Sequence, residues 1–244
     1  MRVETQQAVD QWCADRLGID SSALWREVTV TSPDEGCDDH ESWSIYWRGK
    51  GVHVCAPATT GASDVASLLG SDHTELQQPD FWRAFASQRA ARMIGPVTHG
   101  CLDEDPGLPE DVEQIDPVRL TLLRKTTTAE EWHESGFAQA INVGLPAIAI
   151  WGPMPGSEHH WVPALLGGAA LTGVAGADRD IRVLVASPAR GRGHGLALAR
   201  AAAAYAVSWH GWARWRTPSA NEPATRIAAR LGFEAYATEL SITP

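Results

Sequence analysis

The segment Ile181–Ala206, IRVLVASPARGRGHGLALARAAAAYA, constrains this chain more than any other. An apolar run of strand length enters a turn, passes through Arg190-Gly-Arg-Gly193-His-Gly195, and continues as an Ala-rich run of helical composition. Glycine lets a ligand approach the backbone closely. The first-turn N–H groups of a helix lack internal partners, and the positive end of the helix dipole sits behind them. Together they make a site for an anion such as a pyrophosphate. A Walker loop would need Gly-Lys-Ser/Thr, and no lysine follows here. A dinucleotide fingerprint would need Gly-x-Gly-x-x-Gly, but Leu196 directly follows Gly195. A bare Gly-x-Gly also suits a plain strand-to-helix turn, so the rest of the C-terminal region has to decide.

That region holds a second marked segment, Asn221-Glu-Pro-Ala224 followed by an apolar helix pattern and Leu231-Gly232-Phe233. Arg190 to Gly195 resembles the R/Q-x-x-G-x-G/A motif of the GNAT superfamily of N-acetyltransferases, and Asn221 to Phe233 resembles that family's N-x-x-A…G-F signature. The order strand, loop, long helix, strand, asparagine, helix, Gly-Phe, final strand also matches the family. The likeness covers about residues 181–240, and the strands and capped helix from 118 onward complete the fold it implies. That fold is α/β: a mixed, mostly antiparallel sheet flanked by helices.

The resemblance implies roles residue by residue. Leu184, Val185 and Ala186 would offer backbone groups to the pantetheine arm of acetyl-coenzyme A. Arg190, Gly191, Arg192, Gly193, His194, Gly195 and Leu196 would wrap its pyrophosphate, and Asn221 would face the pantetheine or the thioester. Pro188-Ala189-Arg190 is one residue shorter than the commoner P-x-x-R/Q spacing. The family's usual tyrosine acid falls at Ala228, after Ile227, and its usual glutamate falls near Arg216. Asp178 and Asp180 before the cofactor strand, His210 before the next strand, and Tyr236 on the last strand are the remaining candidates for proton transfer. The favoured reading of Asp178 and Asp180 is a solvated strand entrance, and that of Tyr236 a sheet-packing residue.

Elsewhere the spacing predicts a helix over 5–17 stopped by Gly18, and a hairpin through Trp43, Ile45, Trp47, Val52 and Val54. Further helices are expected over 62–69 and from Pro79 to Gly95. Residues 103–117, acidic and proline-rich, read as a linker, and 118–124 as a strand. Thr128 with Glu131 forms a capping box. Strands follow at 147–151, 169–174, 181–186, 212–217 and 233–242, with helices at 193–207 and 222–231. The expected division is an N-terminal α/β domain over 1–110, read either as an independent unit or as a degenerate copy, and a coenzyme-binding domain over 111–244. The N-terminal part is expected to help form the acceptor site.

Net charge is −10, which argues against a nucleic-acid partner. From Pro188 onward seven arginines face three acids; residues 1–187 hold 13 basic against 27 acidic side chains, a balance of −14. That imbalance favours a cationic acceptor. Cys13, Cys37, Cys55 and Cys101 form no C-x-x-C pair and read as reduced structural thiols. With His159-His160 lacking a visible third ligand, no metal is expected. The absence of a signal-like segment or long apolar run makes a cytoplasmic location and no membrane partner the default expectation. Trp209, Trp212 and Trp215 read as core residues or as a stacking surface for the acceptor. The leading function is transfer of an acetyl group from acetyl-coenzyme A to a small-molecule or peptide amine; the alternative is a non-catalytic acyl-coenzyme-A-binding or regulatory module. The oligomeric state is open, a homodimer included.

Overall fold

The computed structural model describes residues 1–31, 41–145, 147–156, 163–174 and 177–244, apart from the side chains of Val174, Ala177 and Asp178. Cys37 and the His159-His160 pair lie outside the described residues. The elements in chain order are α1 (Val3–Leu17), β1 (Val28–Thr31), β2 (Trp43–Arg48), β3 (Gly51–Cys55), α2 (Ala62–Leu69), α3 (His73–Leu76), α4 (Pro79–Gln88) and β4 (Arg92–Leu102). Then come β5 (Glu113–Ile115), α5 (Ala129–Ser135), α6 (Phe137–Val143), β6 (Ala147–Gly152), β7 (Ala164–Val174) and β8 (Ala177–Val185). The chain ends with α7 (His194–His210), β9 (Ala213–Pro218), α8 (Glu222–Leu231) and β10 (Glu234–Thr243). The fold is the mixed α/β, mostly antiparallel arrangement expected.

Two compact units divide the chain, and their segments interleave. One comprises Arg2–Gly100, Thr217–Glu222 and Ala235–Pro244; the other comprises Met1, Cys101–Arg216 and Pro223–Glu234.

In the N-terminal unit the strands run in the order β1-β3-β2-β10-β4. The β2–β3 hairpin turns at Gly49, whose φ of 58° is the left-handed conformation that glycine adopts without strain. Trp82, Ile45, Leu76, Leu240 and Ile242 fill the core. The helix expected to reach Gly95 stops at Gln88. Ala90 takes φ 52° and the chain reverses into β4, whose start accepts from the Thr243 hydroxyl of β10 at Arg92 O. The sequence Arg-Ala-Ala-Arg has helical propensity, but pairing into the sheet overrides it. Cys55 is disulfide-bonded, which corrects the expectation of four reduced thiols, while Cys13 and Cys101 are buried thiols outside any disulfide.

In the other unit the order is β9-β8-β7-β6-β5. Residues 103–117, read as a linker, contain β5, which pairs with β6. Residues 118–124, read as a strand, lie instead in a 3-10 helix, Pro117–Lys125. Asp116 accepts from Val118 N–H, Pro117 fits the first helical position, and Leu120 and Leu123 share one side, as a three-residue turn requires. Thr128 and Glu131 form the capping box expected for α5.

Strand β7 carries adjacent glycines with a packing reason. A Cβ at Gly167 would stand 2.8 Å from Leu198 Cδ1 of α7, and one at Gly168 would stand 2.3 Å from Leu120 Cδ2. Successive strand residues point to opposite faces, so the two glycines admit a leucine from each side of the sheet. Ala199, Ala201, Ala202, Ala203 and Ala206 of α7 are fully buried, and their small side chains keep the helix close to the strands.

Candidate functional site

Strand β8 delivers the chain to the glycine loop through a short 3-10 turn, Ser187–Ala189. Ala186 N–H donates to Leu166 O at 2.8 Å, which marks that position as a hydrogen-bonded pair with β7. Because such pairs alternate along an antiparallel ladder, Leu184 also spends its backbone groups on β7, whereas Val183 and Val185 turn theirs to the opposite edge. On that edge β9 runs parallel, in register at the single pair Asp180–Arg214. Beyond that pair the edge of β8 carries no ladder among the described residues. Of the three residues expected to offer backbone groups, Val185 alone faces this edge; its carbonyl accepts from Arg190 Nε at 3.2 Å.

The loop itself is open. Gly191 and Gly193 have φ of 76° and 89°, and a Cβ at either would meet nothing within 4 Å. Gly193 is the N-cap of α7. The backbone N–H groups of Gly191, Arg192, Gly193, His194 and Gly195 make no hydrogen bond among the described residues; the first amide donors of the helix are those of Leu196 and Ala197, both to Gly193 O. Five consecutive free amides thus stand at the positive end of a 17-residue helix, the arrangement that suits an anion. Gly195 serves a different purpose: its Cβ would stand 3.3 Å from Ile227 Cδ1, so it lets α8 lie against the first turn of α7.

Arg190 fastens the loop to α5. Its NH2 group pairs with Glu131 Oε1 at 2.7 Å. Glu131 is held below the usual carboxylate range by the Thr128 backbone N–H and by Arg190. Arg192 is exposed and makes no ion pair among the described residues.

The candidates for proton transfer lie elsewhere. Asp180 Oδ1 is engaged with Arg214 Nε at 2.9 Å, and the Arg214 side chain is 3% exposed. His210 ends α7, about 24 Å from the loop at ~1.5 Å rise per residue. Tyr236 donates its hydroxyl to Asp10 Oδ1 at 2.6 Å, and its ring covers Arg48, whose guanidinium also stacks on Trp25 and pairs with Asp10. All four belong to the N-terminal unit, as does Asn221, which directly precedes α8. Ala228 packs against the core. Trp212 is buried beneath Arg179, and Trp215 packs on Phe233; Trp209 is half exposed on the last turn of α7 beside Tyr205.

Sequence reading missed a cluster on the β8–β9 pair. Arg182 Nε donates to Thr172 Oγ1 at 3.2 Å and lies against Gly136, the joint between α5 and α6. Burial holds its guanidinium below the usual range; Asp180 opposes that shift and Arg216 adds to it. The signal was present as Arg182 and Arg216, but only the parallel register places them together. Among the described residues no group of His, Cys, Asp or Glu could hold a metal ion. No helix among them is long and apolar enough to cross a membrane.

Residues 127–233 match the sequence model of the Acetyltransferase (GNAT) family, and this part of the chain is a domain of that family. Among similar solved structures is a GNAT-family protein from Novosphingobium aromaticivorans, with TM-score 0.47, 15% identity and coverage of 62% of this chain and 66% of that one. A GNAT-family acetyltransferase from Colwellia psychrerythraea gives 0.45, 16%, 66% and 60%. A GCN5-related N-acetyltransferase from Sphaerobacter thermophilus gives 0.43, 16%, 68% and 57%. The chain spans less than two thirds of the length of each. No curated protein matches the chain.

Proposed function

We propose that this chain binds acetyl-coenzyme A through Gly191–Gly195 and the open edge of β8, and transfers the acetyl group directly to an amine. The observation that carries this reading is the row of five free amides beside a strand edge that lacks a ladder. Pyrophosphate fits the amides, and an extended pantetheine amide chain fits an unpaired edge carrying the Val183 and Val185 backbone groups. Arg192, within the loop, adds its side chain as a further phosphate contact.

The chemistry asks little of side chains. A neutral amine nitrogen forms a bond to the thioester carbonyl carbon, the carbon–sulfur bond breaks, and coenzyme A leaves as thiolate. The amine proton passes to solvent. Holding the two reactants together supplies much of the rate. With Asp180 and Tyr236 already engaged in strong contacts, water is the default proton carrier. The same observation keeps a second reading in play, a binding module that retained the loop without turnover.

Calorimetry with coenzyme A and thiol release across a panel of amines separate the two readings. Binding with release on at least one amine supports the enzyme. Binding with no release on any amine selects the module, and absence of binding refutes both.

A further inference from the structure

The N-terminal unit holds a cleft of about 630 Å³ that shares no residue with the glycine loop or the β8 edge. Gln6 of α1, Trp25 and Arg26 just before β1, and Gly49 and Lys50 at the β2–β3 turn line it. Sites for small molecules span ~300–1,000 Å³, so the volume is that of a ligand site.

The walls are fixed by groups outside the cleft. The Arg48 guanidinium stacks 3.4 Å from the centroid of the Trp25 ring, and the indole N–H donates to Asp10 Oδ2 at 3.1 Å. The turn is tied down twice: Lys50 N–H donates to Trp25 O at 3.0 Å, and Gln77 Nε2 donates to Gly49 O at 2.8 Å. Glycine permits that closeness. A Cβ at Gly49 would stand 3.0 Å from Trp25 Cε3, and one at Gly51 would stand 2.0 Å from Leu24 O. A wall already held in place loses little freedom when a ligand settles on it.

The lining joins two kinds of surface. The half-buried Trp25 indole is a large apolar wall, whereas Arg26 and Lys50 bring two exposed cations. Neither cation makes an ion pair among the described residues, and the Gln6 side chain makes no hydrogen bond among them. Acidic side chains outnumber basic ones 30 to 20 over the chain, yet no described carboxylate pairs with either of these two. Like charges on one rim repel, and an anion placed against both is favoured.

We infer that this cleft binds a small aromatic acid, with its ring system against the Trp25 indole and its carboxylate or phosphate against Arg26 and Lys50. Aromatic rings pack well on an indole, and the planar fork of arginine matches the geometry of either oxyanion. The Gln6 amide offers one more hydrogen-bond donor. Binding here involves the N-terminal unit alone and stands whether or not the chain transfers acyl groups.

The probes are naphthoate, naphthyl phosphate, the uncharged naphthylmethanol and inorganic phosphate. Each is titrated calorimetrically into the full chain at about 0.15 M salt, where loosely gathered ions are screened. At least one naphthyl acid should bind with a Kd of about 0.1–1 mM, about tenfold or more tighter than the alcohol or inorganic phosphate. Arg26→Gln and Lys50→Gln should each weaken it about 3- to 10-fold, and the double variant should bring it to the level of the alcohol. Both side chains are exposed, so thermal melts should show the fold intact. Absence of acid binding, or acid affinity no better than that of the alcohol, overturns the inference and needs no variant to show it. Acid binding that the folded double variant retains overturns it too. Inorganic phosphate binding as tightly as both naphthyl acids would remove the aromatic half, and the inference with it.

Discussion

Replacing Gly193 by alanine tests the anion receptor with one methyl group. The residue caps α7 at φ 89° and ψ −10°, and a Cβ there would meet nothing within 4 Å. Packing therefore contributes no clash, and the cost is conformational. An L-residue in the left-handed region is disfavoured by about 1–2 kcal/mol. If the free protein keeps the loop as it is, that cost appears as lost stability, about 2–4 °C of Tm per kcal/mol at this chain length. If the loop relaxes when empty, the cost appears in binding instead, about tenfold in Kd for each 1.4 kcal/mol. The two losses together should reach about 1–2 kcal/mol, and the methyl in the phosphate's path adds to the binding part. Differential scanning calorimetry of the free variant and titration with coenzyme A give both numbers. A folded variant with unchanged Tm and unchanged Kd would refute both the backbone conformation and the placement of the anion. Gly195 is a poor substitute for this test, because Ile227 and Val185 stand within 4 Å of its Cβ and a side chain would disturb the contact of α7 with α8.

Three other outcomes are expected. Tyr236→Phe should lower stability by about 1 kcal/mol through loss of one hydrogen bond to Asp10, while kcat stays within about twofold; a fall near 10²-fold would make Tyr236 an acid after all. Asp10→Ala should cost about 3–5 kcal/mol, because it strands the buried Arg48 guanidinium between Trp25 and Tyr236; urea unfolding with an unchanged midpoint would contradict that. Glu131 has a depressed folded pKa, so its contribution is fully present above its ordinary value of 4.5 and is lost as pH falls through the folded value. Stability followed by thermal melts should show an acid limb there that Glu131→Gln removes, and a limb of the same size in the variant would assign it to other groups.

The parts of the fold written in local chemistry were legible in the sequence. Thr128 and Glu131 announce α5, Gly18 and Gly70 end their helices, and the glycine loop is contiguous. Two segments were misread because tertiary pairing outvoted local preference. Arg89 to Arg92 favours a helix until Ala90 turns and β4 joins the sheet. Val118 to Arg124 favours a strand until Asp116 and Pro117 start a tight helix whose Leu120 and Leu123 are buried together. The glycine loop could be found from one stretch of chain, but the arginine pair could not. Arg182 and Arg216 are far apart in sequence, and strand register alone makes them neighbours. The acid excess of residues 1–187 pointed to a cationic acceptor, yet total charge says nothing of where charge stands.

The paired glycines of β7 bear on how this domain can change over generations. Gly167 admits Leu198 and Gly168 admits Leu120, with all four groups inside one core. A methyl group at either glycine must displace a leucine that has no solvent to move into, at about 1–3 kcal/mol. Shortening the leucine first leaves a void of comparable cost. Each single step is penalised, while the paired exchange of glycine for alanine and leucine for a smaller residue can restore the volume. The two positions of each pair are thus expected to drift together or stay fixed. A library of single substitutions would score all four as intolerant, and only a paired library would reveal that what selection holds constant is the distance between layers.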